Sequence, residues 1–150
     1  MDKGAHFHNC DFQVHTPRDL NWNGTRPQDE AGRKVYAEGF ISGCRLKGLD
    51  AVAITDHHDF ALFPYIKQAA AQEVDDQGVP VPPEKQIVVF PGLELTLGVP
   101  CQALLILDAN FPPDFLTTIY TVLACTHQDH SLDRHGPVER LKDIHTFSQL

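Results

Sequence analysis

Acidic and imidazole side chains follow three apolar stretches of the chain, and these residues are the best suited to chemistry. The apolar run 51–55 leads directly into Asp56 and His57. A second run ends at His15, and a third ends at Glu94. Because the carboxyl ends of neighbouring parallel strands meet at one edge of a sheet, we expect these side chains to converge on one cleft.

Histidine and carboxylate ligands together suit zinc, manganese or iron. Ligands that come from separate strands can hold two or three ions, and a carboxylate such as Glu94 can bridge two of them. Ions held in this way lower the pKa of a bound water and stabilise phosphoryl oxygens, so hydrolysis of a phosphate ester is the reaction that the residues serve best. The pattern predicts His15, Asp56, His57 and Glu94 as metal ligands, with the last three taking part in catalysis.

The elements that must position these residues can be read from periodicity and from helix signals. The run 51–55 is typical of a strand buried on both faces, and residues 12–16 form an earlier candidate strand. Helical spacing extends over residues 29–47, with Gly48 as the predicted end. A second helix is predicted over residues 60–74. The order strand, helix, strand favours a parallel crossover.

The later part of the chain predicts two further strands and one helix. The strands cover residues 87–90 and 101–107 and are joined by a short turn at 98–100. Pro112 and Pro113 precede the apolar spacing of a third helix. The predicted fold class is therefore α/β, a parallel-stranded, barrel-like sheet that is incomplete, with about four strands and covering helices.

Composition limits the classes of protein and of partner. The 150 residues are sufficient for a single domain, and 42% are hydrophobic. A net charge of −8 disfavours a broad basic face for nucleic acid, although bound cations would still permit a nucleic-acid substrate. The chain has no signal-like segment and no apolar run of bilayer length, so we expect a cytoplasmic protein without membrane contact.

The sequence also allows predictions for one loop and for the two ends of the chain. Residues 17–28 contain two prolines and a glycine and are predicted to form a rim of the cleft. Arg18, and less directly Arg26, are candidate contacts for a phosphate group there. We expect residues 1–10 and 126–150 to be poorly ordered.

Three motifs resemble those of a known superfamily. The segments Asp11-Phe-Gln-Val-His-Thr16, Ile54-Thr-Asp-His57 and Phe90-Pro-Gly-Leu-Glu94 resemble the first three motifs of the PHP domain, the polymerase and histidinol phosphatase superfamily. Their order and spacing fit across residues 10–107. The first two motifs look most like PHP domains that are joined to AAA- or SMC-like ATPases.

The resemblance implies an incomplete (β/α) barrel with a trinuclear metal site that hydrolyses phosphoesters. It implies that His15, His57 and Glu94 are metal ligands. Asp56 would be either a ligand or a residue that orients a ligating imidazole. The implied substrate is a phosphorylated compound, and a nucleotide or nucleic acid is among the candidates.

The chain departs from the PHP pattern at two points. Gln13 stands where the first motif usually has a histidine, so Gln13, with Asp11 beside it, is at most a weak ligand or a neighbour of the ligands. No later motif supplies the further histidine and aspartate ligands of the family. We therefore expect an N-terminal portion of a barrel, completed by its own continuation, by an ATPase partner or by a second copy.

Three alternatives remain open. A degenerate PHP module would act as a scaffold and retain no metal. The sequence 56–58, Asp-His-His, also resembles the DHH phosphoesterases, although their early Asp-x-Asp pair is missing. A metal-sensing protein would instead use the histidines of the tail, namely His127, His130, His135 and His145.

Overall fold

The structure is a computed structural model and describes residues 6–123, 125 and 128–141. Within them, four strands and three α-helices form a mixed α/β fold. The strands are β1 (Cys10–Val14), β2 (Ala51–Ile54), β3 (Val88–Thr96) and β4 (Gln102–Ile106). The helices are α1 (Glu30–Leu46), α2 (Phe63–Ala71) and α3 (Leu116–Val122).

Helix α1 begins and ends where its sequence signals place it. The Asp29 carboxylate caps the amino end by accepting a hydrogen bond of 2.7 Å from the backbone N–H of Gly32. Beyond the last turn, Gly48 has a φ of +66°, a left-handed conformation that glycine adopts without steric cost. The predicted helix over residues 29–47 is confirmed.

Strand β2 is the buried centre of a parallel arrangement. All four of its residues are buried, and it pairs in parallel with β1 on one side and with β3 on the other. The register of β1 against β2 shifts between Asp11 and Val14, and the Val14 N–H then donates to Thr55 Oγ1. The predicted parallel, fully buried strand is confirmed.

Strand β4 departs from the predicted all-parallel sheet. It runs antiparallel to β3, with Gly92 opposite Ile106 and Thr96 opposite Gln102. The connection between them, residues 97–101, is too short for a parallel crossover, which needs a dozen or more residues. The expectation of a wholly parallel sheet is therefore wrong at this edge.

Strand β3 is longer than its apolar run suggests and continues through a Pro-Gly pair. At Gly92 a Cβ atom would lie 2.8 Å from the Leu105 carbonyl oxygen and 2.8 Å from Thr55 Cγ2. Glycine is thus required where β3 passes between its two neighbours. Because the strand continues to Thr96, Glu94 lies within β3 and not after its end.

The helices cover the core, and part of the sheet stays open. Helix α1 packs against α2, and α2 packs against β3. Large apolar side chains on β1, β3 and β4 nevertheless remain 38–43% exposed; they are Phe12, Val88, Leu104 and Ile106. This architecture is consistent with an incomplete α/β barrel.

The segment 128–141 returns to the sheet and to the loop after β1. The His135 N–H donates to the Arg18 carbonyl, and the Leu141 N–H donates to the Thr96 carbonyl. The expectation of poor order at the chain ends falls partly on residues 1–5, 126–127 and 142–150, which lie outside the described residues. None of the described helices is long and apolar enough to cross a membrane.

Candidate metal centre

Two imidazoles and one carboxylate converge at one edge of the sheet. His15 follows β1, His57 lies three residues beyond β2, and Glu94 comes from β3. One potential ligand atom from each of the three lies within 4.8 Å of those of the other two. The structure thus brings together the three side chains that the strand-end pattern predicts to meet.

Asp56 joins the loop after β1 to the end of β2. Thr16 donates to one Asp56 oxygen from its backbone N–H and to the other from its hydroxyl, each at 2.7 Å. Asp56 is 0% exposed, and this burial raises its pKa to about 7 against the opposing effect of the two hydrogen bonds. Asp56 lies outside the cluster of three donors. Through its hydrogen bonds with Thr16 it connects the segment after His15 to the residue before His57, and so it holds the two histidines side by side.

His15 lies between two carboxylates. Its Nδ1 is 2.8 Å from Asp19 Oδ2, and its Nε2 is 2.8 Å from Glu94 Oε2. Burial disfavours the charged ring, but the hydrogen bonds to Glu94 and Asp19 outweigh it and raise the pKa of His15. An ion bound at Nε2 would replace the proton there, while Asp19 would keep the proton on Nδ1, as in carboxylate–histidine–metal arrangements.

Asp19 is a site residue that the sequence reasoning missed. Its Oδ1 accepts from the Asn21 N–H at 2.6 Å, and its Oδ2 also lies 3.8 Å from His57 Nε2. Burial alone would raise the pKa of Asp19, but the Asn21 N–H and His15 lower it overall. The available signal was an acid four residues after His15, within a loop that was predicted only as a rim.

Arg26 gives that loop its shape. Its guanidinium donates to the carbonyls of Asp19 (2.7 Å), Leu20 (3.1 Å) and Trp22 (3.1 Å), and also to that of Pro17. Four carbonyls on one planar cation turn residues 17–22 back on themselves. Arg26 therefore positions Asp19 and does not face the cleft.

The three donors open into a cleft of about 430 Å³. Gln13 donates from its Nε2 to Glu94 Oε2 at 3.2 Å. Gln102 reaches the same cleft from β4, and no local pattern could place it because its position depends on the β3–β4 pairing. The lining residues are Gln13, His15, Asp19, Asn21, Trp22, His57, Glu94 and Gln102.

Two other predicted site residues lie elsewhere. Arg18 is 1% exposed and donates from Nε and Nη2 to Asp59, which is 0% exposed, at 3.0 and 2.6 Å. It is not among the cleft residues, so its guanidinium is not placed to contact a phosphate there. Asp11 accepts from the Gln13 N–H and borders a separate cavity beside α1.

A histidine of the tail that belongs to none of the three motifs lies beside His57. His135 is buried, and its ring centroid is 6.1 Å from that of His57. His130 instead lies against Tyr120. His127 and His145 lie outside the described residues.

The chemistry of the donor set fits a divalent transition metal. Two imidazoles and one carboxylate are a common ligand set of catalytic zinc, and the same set binds non-haem iron. Three protein ligands leave positions for water and substrate. Among the described residues one cluster of this kind is found, so the expected second and third ions stay predictions.

Comparisons of the chain with family models, with curated proteins and with solved structures find no match. Membership of the PHP superfamily therefore rests on the three motifs and stays a prediction. The arguments for function come from the geometry and the chemistry of the cleft.

Proposed function

We propose that the protein is a metal-dependent phosphoesterase of the PHP type. It would hydrolyse a phosphate ester, with nucleotides and nucleic acids among the candidate substrates, using zinc, manganese or iron held by His15, His57 and Glu94. The observation that carries the proposal is the convergence of these donors, within 4.8 Å of one another, in an open cleft. A lone histidine or carboxylate would not support it.

The charge of the cleft favours a bound cation. Asp19 and Glu94 line it, and none of the described lining residues is lysine or arginine. Phosphate would be repelled by the carboxylates unless a cation were present between them. A divalent ion would supply that charge and would lower the pKa of a bound water.

The other lining residues have roles that follow from their chemistry. Asp19 orients His15 through Nδ1, and Asp56 holds the two histidine loops together through Thr16. The side-chain amides of Gln13, Asn21 and Gln102 are neutral donors that can bind phosphoryl oxygens without holding them as tightly as a cation would.

Metal content and hydrolysis test the proposal directly. We expect the desalted protein to retain zinc, manganese or iron and to hydrolyse a chromogenic phosphate mono- or diester. Glu94→Gln should lose most of the metal and the activity, because a neutral amide replaces the carboxylate ligand. Glu84→Gln, at an exposed position of a short 3-10 helix, is the matched control and should behave like the wild type.

A protein that retains none of the three metals and hydrolyses neither ester would contradict the proposal. That result would support a second candidate, a non-catalytic PHP module used in assembly. Two observations favour this candidate: Glu94 Oε2 already interacts with both Gln13 and His15, and apolar side chains on three strands are 38–43% exposed. In either case we propose that further polypeptide covers the open sheet.

A further inference from the structure

His135 presents an unprotonated nitrogen in the interior of the site. Its Nδ1 lies 2.8 Å from the Gly136 carbonyl oxygen, which can only accept a hydrogen bond. Nδ1 therefore carries the ring proton, and Nε2 carries a lone pair. His135 is 2% exposed, so Nε2 is shielded from solvent.

Two neighbouring imidazole nitrogens are buried without a partner. His135 Nε2 and His57 Nδ1 make no hydrogen bond with any described residue, although both atoms are shielded from solvent. The two rings are nearly perpendicular, at 80°, with centroids 6.1 Å apart. A buried polar atom without a partner is costly, so an acceptor beside a potential donor indicates an interaction between them.

We propose that His135 positions the ligand His57. One bridging water donates to His135 Nε2 and accepts the Nδ1 proton of His57 in a hydrogen bond, and so leaves His57 Nε2 unprotonated on the side of the cleft. The role of that nitrogen as a metal ligand rests on the proposed function, whereas the location of the proton does not. Asp19 Oδ2, 3.8 Å from His57 Nε2, would otherwise attract the proton to the ligand position.

The chain holds His135 in place through Arg18. The Arg18 carbonyl accepts from the His135 N–H at 3.0 Å. The buried Arg18 guanidinium, fixed by Asp59, donates to the carbonyls of Asp129 and Leu132 in the same segment. The segment that delivers His135 is thus attached to the loop that carries His15.

Imidazole 1H–15N long-range NMR spectra of the metal-free protein test where the proton lies. In the wild type we expect His57 to be protonated at Nδ1 and His135 also at Nδ1. In His135→Leu, the His57 proton should move towards Nε2, because the acceptor at Nδ1 is lost. His135→Gln should retain much of the wild-type pattern, since the amide oxygen can accept.

Two NMR outcomes would overturn the inference. One is a His57 pattern that is the same in His135→Leu as in the wild type. The other is a change confined to His58, whose buried Nδ1 also has no partner among the described residues and which therefore is the competing donor. Far-ultraviolet circular dichroism tests whether each variant is folded. If His135→Leu is not folded, the wild-type spectrum still decides the inference, because a His57 proton on Nε2 in the wild type would contradict it.

Zinc affinity, measured by competition with a chromophoric chelator, is the second readout. We expect His135→Leu to bind zinc ~10- to 100-fold more weakly and His135→Gln to bind within a few-fold of the wild type. His8→Leu removes an exposed histidine near Asp50 and should leave the affinity unchanged. Unchanged affinity in His135→Leu would refute the positioning role and leave the three-donor site intact. If the wild type bound none of zinc, manganese and iron, the proposed function would fail, and the NMR spectra would still decide the location of the proton.

Discussion

The strand-end half and the loop-and-tail half of the candidate centre are built in different ways. In the first half, His15 and His57 lie within three residues of the ends of β1 and β2, Glu94 lies in β3, and the ladder of parallel strands brings the three together. In the second half, Asp19 and His135 are held by arginine side chains that bind backbone carbonyls. The positions of the ligands therefore depend on the sheet, whereas the positions of the groups that orient them depend on Arg18 and Arg26.

Removal of Arg18, which holds the tail segment of the loop-and-tail half, should have the largest effect on stability. Arg18→Met leaves the fully buried Asp59 without a cation, and we expect a loss of about 3–5 kcal/mol in the free energy of unfolding, measured by urea denaturation. The double variant Arg18→Met/Asp59→Asn should recover part of this loss. Lys34→Met, in the exposed pair with Glu30, is the control and should change little. Equal effects of Arg18→Met and Lys34→Met would show that the buried Arg18–Asp59 pair does not stabilise the fold.

A side chain at Gly92 should damage the strand-end half specifically. In Gly92→Ala the new methyl group meets the Leu105 carbonyl and Thr55 at 2.8 Å, so we expect a destabilisation of about 1–3 kcal/mol. Gly39→Ala is the matched control in α1, where nothing lies within 4 Å, and it should stabilise the protein by roughly 0.5–1 kcal/mol. Thermal unfolding of the two variants should move in opposite directions; a shift of the same sign would show that β3 is less tightly enclosed than described.

Asp19→Asn separates orientation of a ligand from the ligand itself. Loss of the carboxylate should lower the pKa of His15 in the metal-free protein, because one of the three carboxylates that favour its charged form is removed. With the orienting group changed, zinc binding should weaken by ~10-fold or more. NMR titration and chelator competition measure the two effects. If Asp19→Asn changed neither the pKa of His15 nor the affinity for zinc, Asp19 would not orient His15.

Two buried groups next to the centre should oppose each other in the pH dependence of stability. Asp56 has its pKa raised to about 7, so the folded state binds the extra proton between pH 3.8 and that value, and stability falls as pH rises. His58 has its pKa lowered to about 4, so the unfolded state binds more protons up to pH 6.5, and stability rises with pH.

Asp56→Asn should therefore remove the falling contribution of Asp56 and leave the rising contribution of His58 unopposed by it. We expect its free energy of unfolding, measured in metal-free buffer, to increase more steeply with pH between ~4.5 and ~6.5 than that of the wild type. Because the two contributions oppose each other in the wild type, the wild-type curve should be the flatter of the two. Parallel curves for the two proteins would show that Asp56 is ionised throughout this range.

Elements whose signals are local could be predicted from the sequence. The helical apolar spacing over residues 29–47, the glycine at 48 and the apolar run of β2 are local patterns, and they identified α1 and the buried central strand. The predicted second helix, over residues 60–74, is shorter in the structure, where α2 covers Phe63–Ala71. The helical spacing of apolar residues extends past both ends of α2. Residues 60–62, however, belong to the non-helical segment that follows His57 and His58.

Contacts between distant parts of the chain could not be predicted in this way. The antiparallel direction of β4 depends on its connection to β3, and this direction places Gln102 in the cleft. The charge of Arg18 suggested a surface role, but Asp59, 41 residues further along, holds it in the interior. No pattern in the tail distinguishes His135 from the other histidines there.

The sequence by itself determined that two imidazoles and a carboxylate follow or lie in neighbouring strands, since strand burial and ligand type are properties of short segments. Only the tertiary structure decided what surrounds these donors. Asp19, Gln102 and His135 reach the centre because an arginine-bound loop, an antiparallel edge strand and a returning tail meet at one place. Such meetings depend on the packing of the whole chain, which no short segment encodes.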